Sequence, residues 1–366
     1  MSSDVNHPWL LGECLGFDLR VEDLAPLRAR LLAPNALFEL TEFAGQQGLL
    51  TVLAGRLLDN VLVPPNPPGR PGPASALSRY LASHRDRREH MTRHLRIIVT
   101  ALNEIGIRPI LLKGARSLWD REPAWRFLRD IDLLVPSDQV SAVQRALDEM
   151  GYRPDSNQPE RPHHHHLAPL YNAGLNGWVE IHKRGGNRYA ERLLPTSELI
   201  AASSPSTDNG ISVGLLDPVT HLLHALVHHH VGHGGDARGT LNLKGLYEFA
   251  WAVNELTTEQ KQRLGDRSAD HPRLAANLDL WLAAAARLFR LSVTEPFAVA
   301  HDARERAETM LRGDRQAWWK YPGYGEEIRM AWATERLRRS AGGGGPVGRQ
   351  ILRWKAIASM LPAIRR

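Results

Sequence analysis

Hydrophobic positions recur at helical spacing along most of this chain, with a few short apolar runs between the helical segments. Between about 18 and 63, apolar residues at three- and four-residue steps predict two or three short helices. From Leu77 to about Glu104 the same spacing, with arginine and histidine on the outer face, predicts a long amphipathic helix that Gly106 ends. Further helices are predicted in the second half of the chain, over 217–230, 241–256, 272–291 and 300–312.

Three apolar runs have the length and composition of buried strands. They are 107–112 (IRPILL), Ile131–Val135 and 177–182 (GWVEIH). Lys113-Gly114 ends the first run, and a helix is expected to begin at Ala115. Pro136-Ser137 follows the second, which predicts another helix with Ser137 as its N-cap. Strands that alternate with helices in this way predict an α/β core.

Size and composition narrow the function classes. A chain of 366 residues exceeds the usual single domain, so a core with additional helical segments is expected. No apolar run reaches the roughly 18 residues of a membrane span, and the N-terminus lacks a signal-peptide pattern, so we predict a cytoplasmic protein. Cys14 is the only cysteine, which excludes an internal disulfide and a cysteine-based zinc site. The net charge of +6 favours phosphorylated ligands without choosing among them.

Two aspartates interrupt the second apolar run. Asp130 and Asp132 are two residues apart, so in a strand both carboxylates project from one face, roughly 7 Å apart along the chain. Oxygen ligands of this kind suit Mg²⁺, and metal ions stabilise the entering and leaving oxygens of a phosphoryl or nucleotidyl transfer. Glu180, in the third run, is the candidate for a third carboxylate. An exposed position on an edge strand is the alternative for Glu180.

The residues before the aspartates suggest a phosphate-binding turn. A glycine between strand and helix lets backbone N–H groups approach an anion at the helix N-terminus, and Gly114 has this place, with Lys113 as an adjacent positive charge. Arg126 and Arg129 are candidates to neutralise a triphosphate or to bind an acidic substrate. His182 is expected on the same face as Glu180, either beside the nucleotide or as a structural histidine.

The segment from Leu102 to Val135, LNEIGIRPILLKGARSLWDREPAWRFLRDIDLLV, resembles the uncharacterised nucleotidyltransferase family of the DNA polymerase beta-like superfamily. The resemblance rests on LLKG, an aromatic residue, an arginine and DIDLLV, and it covers roughly 77–185. It implies that Lys113 and Gly114 form the nucleotide-binding turn, and that Asp130 and Asp132 bind metal. Glu180-Ile181-His182 matches a strand that in the family usually reads Asp, aliphatic, His.

The resemblance implies an α/β (α+β) nucleotidyltransferase core with a short mixed sheet, flanked by N-terminal helices and a mostly helical C-terminal region. The boundaries that we predict are 1–76 for an N-terminal helical segment with a proline-rich linker, 77–216 for the catalytic domain, 217–340 for a helical domain and 341–366 for a glycine hinge with a basic helix. The implied cofactor is Mg²⁺ or Mn²⁺, with a nucleoside triphosphate as substrate.

The acceptor is left open by the residues. The resemblance favours a peptide, a small metabolite or a natural-product intermediate. A tRNA-modifying enzyme is the alternative, as is a catalytically silent protein that binds nucleotides or serves as a scaffold.

Two histidine-rich segments need separate interpretation. The run His163–His166 lies in a proline-bounded segment and is predicted to be a solvated loop. Six more histidines follow in the segment 221–233: His221, His224, His228, His229, His230 and His233. Their spacing does not define a complete zinc site, so packing against the active site is the favoured interpretation.

Overall fold

The computed structural model describes residues 7–63, 72–155, 164–174 and 177–312, apart from the side chain of Ala237. Most of the proline-rich linker, the glycine hinge and the predicted basic helix lie outside these residues. Strands β1–β7 are Ile110–Leu111, Asp130–Leu134, Arg153–Pro154, Leu170–Tyr171, Trp178–His182, Ser203–Asp208 and Ile211–Leu216. Helices α1–α7 are His7–Leu15, Val21–Leu31, Ala36–Gln46, Leu50–Asp59, Pro73–Glu104, Lys113–Asp120 and Val140–Glu149. Helices α8–α15 are Ala190–Leu193, Thr196–Ala201, Pro218–Leu226, Gly235–Arg238, Leu243–Glu255, Thr258–Ala269, Pro272–Phe289 and His301–Leu311.

Within the described residues the strands form one mixed sheet in the order β3-β4-β5-β2-β1-β7-β6. The central pair, β2 and β5, is parallel, whereas β1 runs antiparallel to β2 and parallel to β7. The sheet and the helices around it confirm the predicted α/β class with a helical C-terminal region. None of the described helices combines the length and the apolar character that a membrane span requires.

The sheet packs against α5, α6 and α7 in one hydrophobic cluster. Leu95 and Ile98 of α5 contribute to it, together with Leu133 of β2 and Val179 of β5, each of them fully buried. Strands at the centre of a sheet with both faces covered read as apolar runs, which is why the sequence signals β2 and β5 clearly. The rigid centre of the sheet is therefore where the acidic residues are held.

A second hydrophobic cluster joins the two ends of the described chain. It combines the short N-terminal helices with the C-terminal helices, around the fully buried Trp281 and Phe289. The backbone N–H of Phe17 donates to the carbonyl of Phe289 over 2.8 Å. A Cβ atom on Gly12 would lie 2.4 Å from the Leu288 carbonyl oxygen, so only glycine permits this approach of α1 to α14.

Some predicted elements differ from the observed ones. The helix after β2 begins at Val140, and the Ser137 hydroxyl donates to the Lys183 carbonyl over 3.3 Å, so the N-cap prediction is wrong. The hairpin β6–β7 was not predicted, because β6 is polar and half exposed. Its turn residues, Asn209 and Gly210, have φ values of 49° and 79°, as expected of a two-residue hairpin turn.

Candidate active site

The parallel pairing of β2 and β5 brings the acidic residues onto one face. Asp132 pairs with Glu180, and Asp130 pairs with Trp178. Residues paired in register project to the same side, and so do residues two positions further along each strand. Asp130, Asp132, Glu180 and His182 therefore share one face of the sheet, as the alternation in the sequence predicted for Glu180 and His182.

Asp132 is the centre of this group and is 1% exposed. Its Oδ1 accepts from Lys113 Nζ over 2.7 Å and from His182 Nε2 over 2.8 Å. Its other oxygen, Oδ2, is buried and has no hydrogen-bond partner among the described residues. A buried carboxylate oxygen without a partner is costly, unless a further positive group binds it.

Glu180 and His182 complete a compact donor set. His182 Nε2 lies 3.5 Å from Glu180 Oε2, and the same oxygen is 3.6 Å from His166 Nε2. One ligand atom from each of Asp132, Glu180 and His182 lies within 4.8 Å of the other two. Two carboxylates and an imidazole at this separation could hold a divalent cation, and the unpartnered Oδ2 of Asp132 is available to bind one.

Asp130 stands slightly apart from this set. It is half-buried, and its carboxylate is not one of the atoms in the compact group. Burial and the neighbouring charge of Asp132 raise the pKa of Asp130 to about 6, although Lys113 opposes the shift. The predicted meeting of three carboxylates is thus seen most closely for Asp132 and Glu180, with Asp130 within electrostatic reach.

Burial and the neighbouring charges act in opposite directions on the pKa values of the site residues. Burial disfavours the ionised form of Asp132, but Lys113 and the hydrogen bond from His182 outweigh it and hold the pKa of Asp132 well below its usual range. Burial likewise opposes ionisation of Glu180, yet the hydrogen bond from His182 leaves the pKa of Glu180 lowered. For Lys113 the carboxylates outweigh burial and raise the pKa. The site therefore holds Asp132 and Glu180 ionised beside a charged lysine.

The Lys-Gly turn is held from two sides. Lys113 has a φ of 47°, a left-handed conformation that is strained for a residue with a side chain. A Cβ atom on Gly114 would lie 2.1 Å from Leu128 Cδ2, so any other residue at the start of α6 would require the Leu128 side chain to move. Arg126 Nη1 donates to the Lys113 carbonyl over 2.8 Å, which fixes the turn from the other side.

Arg126 is engaged within the protein. Its Nε donates to Glu248 Oε1 over 2.9 Å and its Nη2 to Glu248 Oε2 over 2.7 Å, so the pair is bidentate. Burial would raise the pKa of Glu248, but Arg126 outweighs it and the pKa is lowered. Glu248 was not identified from the sequence; it lies 122 residues from Arg126, on the buried face of α12. A charged residue among the apolar positions of that face was the available signal. Arg129 is exposed, with its guanidinium 5.9 Å from the centre of the Phe127 ring.

The histidine run packs against the site, so the prediction of a solvated loop is wrong for its described members. The amides of Lys183 and Arg184 donate to the His165 carbonyl over 3.0 and 3.2 Å. The rings of His165 and His166 lie 5.4 and 5.2 Å from that of His182. These half-buried rings form one wall beside Glu180. Proline boundaries suggested exposure, but His166 pairs with His182 at the end of β5.

Comparison of the sequence with models of known protein families gives a match to one family. The profile described as "Uncharacterised nucleotidyltransferase" matches residues 38–290, more than half of the chain and the whole of the sheet described above. The search among curated proteins found no match.

Proposed function

Because the chain belongs to the uncharacterised nucleotidyltransferase family, we propose that it uses the cluster around Asp132 for a metal-dependent transfer. A nucleoside monophosphate moves from a nucleoside triphosphate to a hydroxyl or phosphate acceptor. The bond from the α-phosphorus to the acceptor oxygen forms as the bond to the bridging oxygen of pyrophosphate breaks. When the acceptor is a hydroxyl, its proton passes to Glu180, the more accessible carboxylate of the compact donor set.

Asp132 carries this proposal. It is buried in the family's acidic strand with one oxygen shared by Lys113 and His182 and the other without a partner among the described residues. Asp132, Glu180 and Asp130 would hold Mg²⁺ or Mn²⁺, with His182 orienting Asp132. When bound, the cation neutralises charge on the phosphates and on the leaving pyrophosphate.

The neighbouring cationic residues have separate tasks in this proposal. Lys113 provides a fixed positive charge between the carboxylates and the triphosphate, and Gly114 lets the N-terminus of α6 approach a phosphate. Arg126 positions the turn through the Lys113 carbonyl, because Glu248 already occupies the rest of its guanidinium. Arg129 is exposed beside the strand and is the arginine free to meet a triphosphate or an acidic acceptor.

We propose a peptide, a small metabolite or a natural-product intermediate as acceptor. The direct test is incubation of the purified protein with Mg²⁺, a cell extract and each of ATP, GTP, CTP and UTP labelled at the α-phosphate or at the γ-phosphate. Label from the α-position in a product, with release of pyrophosphate, is the expected result. Label from the γ-position alone would contradict nucleotidyl transfer.

Two controls define the site and the acceptor. Asp138→Asn removes an exposed carboxylate shortly after β2 and is expected to retain activity, whereas Asp132→Asn is not. Ribonuclease treatment of the labelled product distinguishes a tRNA acceptor, and salt-sensitive copurification with RNA would point the same way. Magnesium-dependent binding of triphosphate without any labelled product would leave the protein as a silent nucleotide-binding member.

A further inference from the structure

Six histidines were noted on the segment that follows β7, and three of them form a cluster outside the carboxylate site. The helix α10 continues into a π-helical turn, Val227–Gly232. One ligand nitrogen from each of His228, His229 and His233 lies within 4.8 Å of the other two. The spacing of these residues did not predict the cluster, because an α-helix places residues five apart on different faces.

The π-turn is what brings the rings together. The amide of His233 donates to the carbonyl of His228 over 3.2 Å, a bond between residues five apart. This wider turn sets His233 against His228, and their Nε2 atoms, 3.1 Å apart, share a hydrogen bond. Two nitrogens bound to one tetrahedral zinc ion lie about 3.4 Å apart, given Zn–N bonds of about 2.0–2.1 Å. Single π-turns of this kind are frequent at functional sites.

His229 supplies an independent observation. Neither of its ring nitrogens has a hydrogen-bond partner among the described residues, although the side chain is only 13% exposed. Its nearest carboxylate oxygen, Glu248 Oε2, is 3.9 Å from Nε2. A Cβ atom on Gly245 would lie 2.8 Å from Cγ of His229, so glycine makes the space for this ring. The protein therefore positions a buried imidazole and leaves its polar atoms unused.

Neutral imidazole is the form that binds metal, and the cluster favours it. Burial and the charge of Lys113 lower the pKa of His228 well below its usual value, and the same two causes lower the pKa of His233. Burial lowers the pKa of His229 to about 3, against the influence of Glu248. Three imidazoles without a carboxylate ligand suit zinc, cobalt, nickel or copper and not magnesium.

We propose that His228, His229 and His233 bind one divalent transition-metal ion of the zinc class, at a site separate from the carboxylate cluster. The centre of the His165 ring is 6.4 Å from that of His228 and 5.4 Å from that of His182, so this ring adjoins both groups. Three protein ligands leave a position open, as in zinc sites that bind a substrate or water.

The test is a titration of the metal-free full-length protein with Co²⁺ in excess Mg²⁺, followed by visible absorption. Binding of one equivalent with the intense bands of four- or five-coordinate cobalt is expected, and Zn²⁺ should displace it. His233→Ala and His229→Gln should each weaken binding at least about tenfold. Part of the His233 side chain is exposed, so its replacement carries less risk to the fold than replacement of His229.

Two matched variants separate this site from its neighbours. Replacing His164, His165 and His166 by Asn should leave the cobalt spectrum intact, and so should Asp132→Asn, which removes a carboxylate of the proposed active site. A protein that binds no Co²⁺, or that binds it unchanged in His233→Ala and His229→Gln, overturns the proposal. The proposal is also overturned if the cobalt spectrum is lost only when His164, His165 and His166 are replaced.

Discussion

Two buried ion pairs lie on either side of the Lys-Gly turn. They differ in how many of their carboxylate oxygens accept hydrogen bonds. Arg126 and Glu248 form a bidentate pair in which both carboxylate oxygens are bonded. In the pair of Lys113 with Asp132, a single oxygen takes both the ammonium and His182, and the other oxygen has no partner among the described residues. Arg126 links the pairs through the Lys113 carbonyl.

We interpret the first pair as structural and the second as part of the proposed active site. A buried pair with all its hydrogen bonds satisfied gains nothing from a ligand, whereas an open buried oxygen is stabilised by a further cation. Around Lys113, three carboxylates act on one ammonium, so negative charge is in excess. We therefore expect substitutions of Asp132 to affect activity most, and substitutions of Glu248 to affect stability most.

The largest expected effect is on catalysis. Asp132→Asn should lower nucleotidyl transfer by at least about 10²-fold, because it removes the proposed anionic metal ligand. The free energy of unfolding should change less than in Glu248→Gln, since the remaining carboxylates still face Lys113. Product formation from α-labelled triphosphate and urea unfolding measure the two quantities. A larger loss of stability in Asp132→Asn than in Glu248→Gln would refute the distinction between the pairs.

The second effect is on stability. Glu248→Gln should lower the free energy of unfolding by about 3 kcal/mol, because it leaves the Arg126 charge buried without its partner. The double variant Arg126→Met with Glu248→Leu should recover most of this loss, since apolar residues of similar volume replace the pair. Chemical denaturation of the two variants and the original protein checks this. A double variant as unstable as the single one would mean that the pair contributes more than mutual neutralisation.

A smaller effect is expected at the junction of the two pairs. Gly114→Ala should destabilise the protein by about 1–3 kcal/mol, because its Cβ would overlap Leu128 Cδ2. Leu128→Ala in the same chain should relieve the overlap and restore the turn. Nucleotide affinity, measured by calorimetry, should fall in the single variant and recover in the double one. Gly265→Ala is the control, since nothing lies within 4 Å of its Cβ position.

The smallest effect appears only at low pH. The pKa of Glu248 is lowered in the folded protein, so its contribution to stability is present above its ordinary value of 4.5 and is lost as the pH falls through the folded value. The difference in unfolding free energy between the original protein and Glu248→Gln should therefore be constant near neutral pH and shrink below pH 4.5. Urea unfolding at several pH values measures it. A difference that does not change with pH would argue against an ionised Glu248.

Local patterns in the sequence identified the part of the site that lies on strands. Buried strands read as apolar runs, so the aspartates of β2 and the glutamate of β5 stood out against them, and period-two alternation placed Glu180 with His182. The Lys-Gly turn was visible because glycine marks a change of direction. The long helix α5 was predicted from the regular spacing of its apolar residues, and the structure confirms it.

Other features depend on contacts that no local pattern contains. Glu248 lies 122 residues from Arg126, and its role follows only from the packing of α12 against the turn. The π-turn has no spacing signal, so the meeting of His228 with His233 was hidden. In β6 the side chains are mostly polar, and pairing with β7 alone makes it a strand. The metal preference and the acceptor depend on groups outside the chain.

The contact of α1 with α14 has a consequence for how the protein is made. Gly12 meets Leu288, and the Phe17 amide bonds the Phe289 carbonyl, so α1 meets α14 only after some 270 further residues have been synthesised. Until then the surface of α1 that packs on α14 remains exposed on the nascent chain. Ribosome-bound chains that end before Phe289 should therefore recruit chaperones through a segment that is deeply buried in the finished enzyme.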